Sequence, residues 1–297
     1  MSELRWGGAG PVVGVLLAAF LLALSAAEVE AQSESRVQVT RQLGSEEELD
    51  VRIRYGAGHM ALRPASSGTL YRMTLRYDEA RVAPLERFSN GRLLVGTERA
   101  SRRGLFRGVD SEGELDLALN RRIPMDLSLE LGAVRADLEL GGLRLRTLNL
   151  ASGASDAVVR VSEANPEEMD LVHFRLGASS LETVNLGRLN ARELRLDVGA
   201  GRVRLDLGGL GREETRIQAR LGAGDLQILV PEGVAIRLTR SAILSQINAP
   251  ELEHQNGAYY STDWDYATQR VRIEVESAFG NVTISRSPGE GFLSPAP

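Results

Sequence analysis

The stretch LSLELGAVRADLELGGL, residues 127–143, is written again as LRLDVGAGRVRLDLGGL at 194–210, with ten of seventeen positions identical. The copies start 67 residues apart (194 minus 127), three times about 22. Between and after them a Gly-Ala turn recurs at Gly132, Gly153, Gly177, Gly199 and Gly222, at spacings of 21, 24, 22 and 23. Aliphatic residues alternate before each turn: Leu127, Leu129 and Leu131; Leu148 and Leu150; Phe174 and Leu176; Leu194, Leu196 and Val198; Ile217, Ala219 and Leu221. Six and eight residues after four of the glycines come Leu138 and Leu140, Val159 and Val161, Leu205 and Leu207, Ile228 and Val230. After Gly177 the pair slips by one, to Val184 and Leu186.

A period of two marks strands with one buried and one wet face. The intervening positions are charged, as at Glu130, Arg135, Asp137 and Glu139, or Arg195, Asp197, Arg202, Arg204 and Asp206. Short strands joined by a Gly-Ala corner, repeated every 22 residues or so, predict a solenoid whose coils bury their leucines only against their neighbours. The expected fold is therefore all-β, a single-stranded parallel β-helix of about 22 residues per coil, right-handed by the crossover preference. Some corner glycines are expected to need positive φ. A sandwich of hairpins fits less well, because hairpin turns favour Asn-Gly or Asp-Gly. Two outlying pieces match the template: VRIRYGAGHMAL near the start, and IEVESAFGNVTI near the end.

The pattern is interrupted twice. In the first gap, Tyr71, Met73, Leu75 and Tyr77 alternate as a strand, and Asn90-Gly91 is read as the one strong hairpin signal. Residues 96–114 then read as an exposed loop whose Arg99, Arg102, Arg103 and Arg107 could meet an anionic partner. The second gap, 231–270, keeps a strand at Val234, Ile236 and Leu238 and holds Tyr259, Tyr260, Trp264 and Tyr266. Those rings suit a cap over the last coil, and alternatively a partner-binding patch.

The N-terminus carries Arg5 and then the apolar run PVVGVLLAAFLLALSAA, the layout of a secretory signal peptide over residues 1–31, with a retained N-terminal anchor helix as the alternative because the run is near the lower length for spanning. The rest divides into an N-terminal β region with hairpin and loop insertion (32–126), the solenoid (127–286) and a Pro/Gly-rich tail expected to be disordered (287–297). Cleavage after Ala31 leaves 37 acids (40 minus 3) and 34 bases (35 minus 1) with interspersed signs. That near balance gives no basic stripe for nucleic acid. No further apolar run is long enough to span a membrane.

Catalytic chemistry finds little material. There is no cysteine, and His59, His173 and His254 are scattered, so no metal or cofactor is expected. GAGRVRLDLGGLG lacks the dinucleotide spacing, and Asp225 in GAGDL lacks the stacked aspartates of a calcium repeat. Carbohydrate-cleaving β-helices need clustered carboxylates and aromatic platforms. Here aromatics are 5% of the chain, and Trp264 is the sole tryptophan after the leader.

The repeats at 127–143, 194–210 and 217–230 resemble the toast-rack family of bacterial envelope proteins, related to the C-terminal domain of LiaF-type cell-wall-stress regulators and to adhesin-like β-solenoids. The resemblance spans about 36–286 and implies a β-helix, a bacterial source and no catalytic residues to carry over. LiaF-type regulators carry several N-terminal transmembrane helices, and this chain shows only a signal segment. The expected function is a non-enzymatic exported envelope module, periplasmic or at the cell surface, whose partner is an envelope protein or polymer. The alternatives are a surface adhesin-like protein or a carbohydrate-active β-helix.

Overall fold

A computed structural model describes residues 34–99 and 113–287, which fall within one compact unit. The signal segment, Arg102, Arg103, Arg107 and the tail beyond Ser287 lie outside the described residues. Among the described residues the fold is all-β, apart from one 3-10 turn at Leu186–Leu189. The strands are β1 (Glu34–Gln42), β2 (Leu49–Pro64), β3 (Thr69–Asp78), β4 (Val82–Ser89), β5 (Arg92–Arg99), β6 (Glu114–Leu119), β7 (Pro124–Glu139), β8 (Arg144–Ser152), β9 (Asp156–Arg160), β10 (Met169–Val184), β11 (Ala191–Asp206), β12 (Glu214–Val230), β13 (Val234–Asn248), β14 (Leu252–Gln255), β15 (Ala258–Ser261) and β16 (Gln269–Arg286).

The long strands stack in parallel as rungs. Leu127 of β7 lies beside Leu148 of β8, which lies beside Val172 of β10, which lies beside Leu194 of β11. The two copies of the opening motif are thus three rungs apart in one stack. In β7 the odd residues Met125 to Leu131 are buried before the corner, and the even residues Val134 to Leu138 after it. Gly132 and Ala133 are two successive residues outside the core, and they shift the phase by one. Each rung is therefore an L whose two arms face their aliphatic side chains into one column, where burial supplies the stabilisation.

Why glycine stands at the corner follows from the stack. The first glycine of each corner has an ordinary φ. A Cβ on Gly132 would sit 2.1 Å from the carbonyl oxygen of Gly56, and one on Gly222 would sit 2.5 Å from that of Gly199. Close approach of neighbouring backbones excludes a side chain there. Positive φ enters two residues later, as at Gly224 (φ 124°), whose added Cβ would lie 1.9 Å from the Gly201 oxygen.

Four details differ from the sequence reading. The inner position after Gly177 is Thr183, not Val184; the Thr183 hydroxyl accepts the Asp206 N–H at 3.0 Å, so a buried polar side chain is satisfied there. A second Asn-Gly hairpin exists at Asn256-Gly257, joining β14 to β15, alongside Asn90-Gly91 between β4 and β5. The segment 96–114 is not all loop, because β5 pairs with β4 as far as Arg99 and β6 begins at Glu114. The strand at Val234 runs on to Asn248, since its second arm keeps register with β16.

Spatial order also departs from chain order. β16 lies between β12 and β13: Ile217 pairs with Ile273, and Leu238 pairs with Ile273 from the other side. Arg286 secures this insertion. Its guanidinium donates to the Pro231 and Val234 carbonyls at 3.1 and 2.7 Å and meets Glu251 at 3.2 Å. At the other end of the stack β2 is covered, by β5 along Asp50–Arg54 and by β6 along His59–Pro64, with β3 and β1 following antiparallel.

Candidate functional site

Stacked corners make an open groove along the column, with a cavity volume of about 1290 Å³. Gly56, Gly132, Gly153, Gly177, Gly199 and Gly222 contribute one floor position per rung. One wall is built from the residue two before each corner, a glycine in six rungs and Ala278 in β16, so strand alternation points it outward. In rung order it reads Arg54, Glu130, Ala151, Arg175, Asp197, Arg220 and Glu276. Opposite charges are adjacent in register, and the signs alternate except where Ala151 interrupts.

The pairs along this wall are close but wet. Arg54 meets Glu130 at 3.1 Å, Arg220 meets Glu276 at 3.2 Å, and Asp197 accepts from His173 at 2.8 Å. Exposed pairs of this kind contribute at most about 1 kcal/mol each. Their effect is on what the groove can receive: a surface polar along one side, small along the floor and near neutral in sum. Tyr55, the only ring among the described residues lining it, is almost fully buried, and burial pushes its phenol far above the ordinary range. Among the described residues, no three His, Asp or Glu side chains are grouped to hold a metal ion.

A second surface gathers the late aromatics. The Asn256-Gly257 turn and the loop after β15 place Tyr260 against Trp264 with ring centroids 5.7 Å apart, and Tyr259 against His254 at 4.9 Å. Four arginines from the rungs below cover these rings: Arg237 on Tyr260, Arg240 on Tyr259, and Arg270 and Arg272 on Trp264, at 4.9 to 5.9 Å. Cation–π contact of this sort holds the rings to the stack. Arg272 also grips Glu214 through two bonds of 2.8 and 3.1 Å, and this pairing holds the Glu214 carboxyl below its usual range.

The structure thus brings together Tyr259, Tyr260 and Trp264, while Tyr266 stands apart, 87% exposed. Arg99 ends β5, away from them in the stack. The four ring-covering arginines escape a reading of the sequence because they come from two strands, β13 and β16, that are neighbours only in space. The groove escapes it because its floor is the same glycine that marks each corner.

Parallel L-shaped rungs over an aliphatic column define the class: an all-β stack with a glycine-floored corner groove. Residues 27–182 match the N-terminal domain of toast_rack, DUF2154, and residues 183–284 match the cell wall-active antibiotics response LiaF C-terminal domain. The chain belongs to the toast-rack family. No curated protein matches it. Among solved structures, it is similar to a candidate cell adhesion protein from Clostridium sporogenes (12% identity, covering 86% of this chain and all of that one, TM-score 0.46). It is also similar to a candidate adhesin from Bacteroides fragilis (11% identity, 85% of this chain and 98% of that one, TM-score 0.47).

Proposed function

We propose that this protein is a non-enzymatic, exported module of the bacterial cell envelope that holds an extended segment of a partner protein along the corner groove. The family supports the envelope setting, and the carrying observation is the groove itself, continuous over six glycine corners. In this reading the rungs wind as a right-handed single-stranded solenoid, the preferred hand for parallel crossovers. Sugar sites stack rings on aromatic faces, and this groove offers charged side chains, glycine backbone and aliphatic residues such as Val198 and Ile243 instead. That chemistry suits a polypeptide carrying both signs of charge, read along the column through the wall from Arg54 to Glu276.

The experiment is affinity capture from envelope extracts with wild type, an Arg175→Glu/Arg220→Glu variant in the groove wall, and an Arg204→Glu variant on the other arm. The expected result is a partner retained by wild type and Arg204→Glu and lost by the groove variant. Equal recovery by all three overturns the groove assignment. Export is checked by the mass of the protein from its native host, expected to lack the first 31 residues.

A further inference from the structure

The last rung of the stack has a free edge. β13 pairs with β16 along Val234–Asn248, while on its other side β15 pairs only with Arg237 and Leu238. Residues 239–248 therefore have no strand partner on that side among the described residues. From Ser241 to Asn248 the run reads SAILSQIN, with no charge and no proline. Proteins usually blunt such edges with charge, proline or a covering segment. The opposite end of the stack is covered over both arms of β2.

The corner at this free edge is also unlike the others. Ala223, Phe279 and Leu244 are neighbours in register across β12, β16 and β13. Ile243, Leu244 and Phe279 are 80%, 69% and 54% exposed. Three large apolar side chains thus crowd one exposed corner, beside a strand edge that has no strand partner among the described residues.

We propose that this edge pairs with the same edge of a second copy, antiparallel, about a two-fold axis through the Ile243–Leu244 peptide. The free run 239–248 is centred on that peptide. Antiparallel pairing about it sets Ile243 opposite the partner's Leu244, Ser241 opposite the partner's Gln246 and Thr239 opposite the partner's Asn248. Arg240, the single charge in the run, faces the partner's Ile247 and not the partner's Arg240, so no like charges are opposed. The axis passes through the corner, so the first arm of one L lies on the second arm of the other and the two outlines coincide. The apolar corners of both copies then cover each other. A two-fold contact of this kind uses the β13 edge of both copies and so closes at two.

The test uses the purified full chain in sedimentation over a concentration series. Wild type is expected to move from the chain mass to twice that mass as concentration rises. An Ile243→Lys/Leu244→Lys variant is expected to lose the dimer while keeping its circular dichroism, since both side chains are exposed. The chain has no cysteine, so the contact can be located directly. Mixed Ile243→Cys and Leu244→Cys chains should form a disulfide-linked dimer on mild oxidation, whereas Asp225→Cys chains should not. A wild type that stays at the chain mass throughout overturns the proposal. So does a lysine variant that remains dimeric, or cross-linking no better than that of Asp225→Cys.

Discussion

Between β11 and β12 the corner sets Gly199-Ala200 against Gly222-Ala223, and an inner position of the first arm sets Leu196 against Ala219. Between β16 and β13 the same places hold Ala278-Phe279 against Ile243-Leu244, and Val275 against Arg240. The register is shared, but the residues are not. In β11 and β12, each pressed from both sides, a Cβ at Gly199 or Gly222 would strike the backbone of the rung before, and a charge on the inner face has no water to reach. The last rung is pressed from one side. Arg240 can leave the column, donate to the Tyr259 hydroxyl at 2.5 Å and lie over its ring. The repeat is thus relaxed toward this end of the stack: the last rung keeps neither the corner nor the inner face, while β16, between β12 and β13, keeps Ile273 and Val275 inside but carries Ala278 and Phe279 at its corner.

The strongest way to break this comparison is to exchange the inner residues. Leu196 is fully buried. Leu196→Arg should cost about 3–5 kcal/mol, the magnitude of an uncompensated buried charge, and unfold the stack around β11. Arg240→Leu should stay within about 1 kcal/mol of wild type. Urea denaturation measures both; equal losses would show that the last rung is packed like the middle.

The corner gives the next largest contrast. Gly224→Ala places a Cβ 1.9 Å from the Gly201 oxygen at a φ of 124°. The expected loss is about 2 kcal/mol or more, from strain and forced separation of the rungs. Ala278→Gly in the terminal rungs should cost about 1 kcal/mol or less, the flexibility penalty alone. Melting temperatures of the two variants decide it.

Arg286→Ala tests what keeps β16 between β12 and β13. The side chain is 13% exposed and bonds the carbonyls of Pro231, just after β12, and of Val234, which opens β13. Its loss should cost about 2 kcal/mol, as for hydrogen bonds from a charged group. Hydrogen exchange should quicken in β13 and β16 and stay unchanged in β7 to β11. Uniform quickening would mean that the terminal rungs unfold only with the rest.

The middle of the stack is legible in the sequence because each rung repeats a local rule. Leucine phase and glycine spacing alone place Leu127, Leu148 and Leu194 in rungs of one column. The terminal part is not legible, for a physical reason: β16 carries the same template as the rungs it separates, and nothing local tells a strand which of several equivalent edges it will join. That choice is made by long-range contacts such as those of Arg286. The hairpin at Asn256-Gly257 carries the right turn residues, but its flanking strands of four residues alternate too weakly to stand out. Among the candidate contact residues, spacing groups the tyrosines with Trp264. It does not reveal that arginines 237, 240, 270 and 272 already occupy their faces.

The smallest effect expected is the pH dependence of the clasp between the two regions. Glu214 opens β12, and Arg272, which holds it, also lies over Trp264. The Arg272 hydrogen bonds lower the Glu214 pKa from the ordinary 4.5, against a smaller opposing effect of burial. A carboxylate with a depressed folded-state pKa stabilises the fold above its unfolded pKa, and that stability is lost as pH falls through the folded value. Glu214 is 45% exposed, so water screens the pair and the gain at neutral pH stays below about 1 kcal/mol. Glu214→Gln should therefore be slightly less stable than wild type at pH 7. The gap should close as pH drops well below 4.5, where the wild-type carboxyl is protonated and equally uncharged. A gap that persists in acid would mean that Glu214 acts through shape and not charge, and that the terminal region is tied to the middle rungs by packing alone.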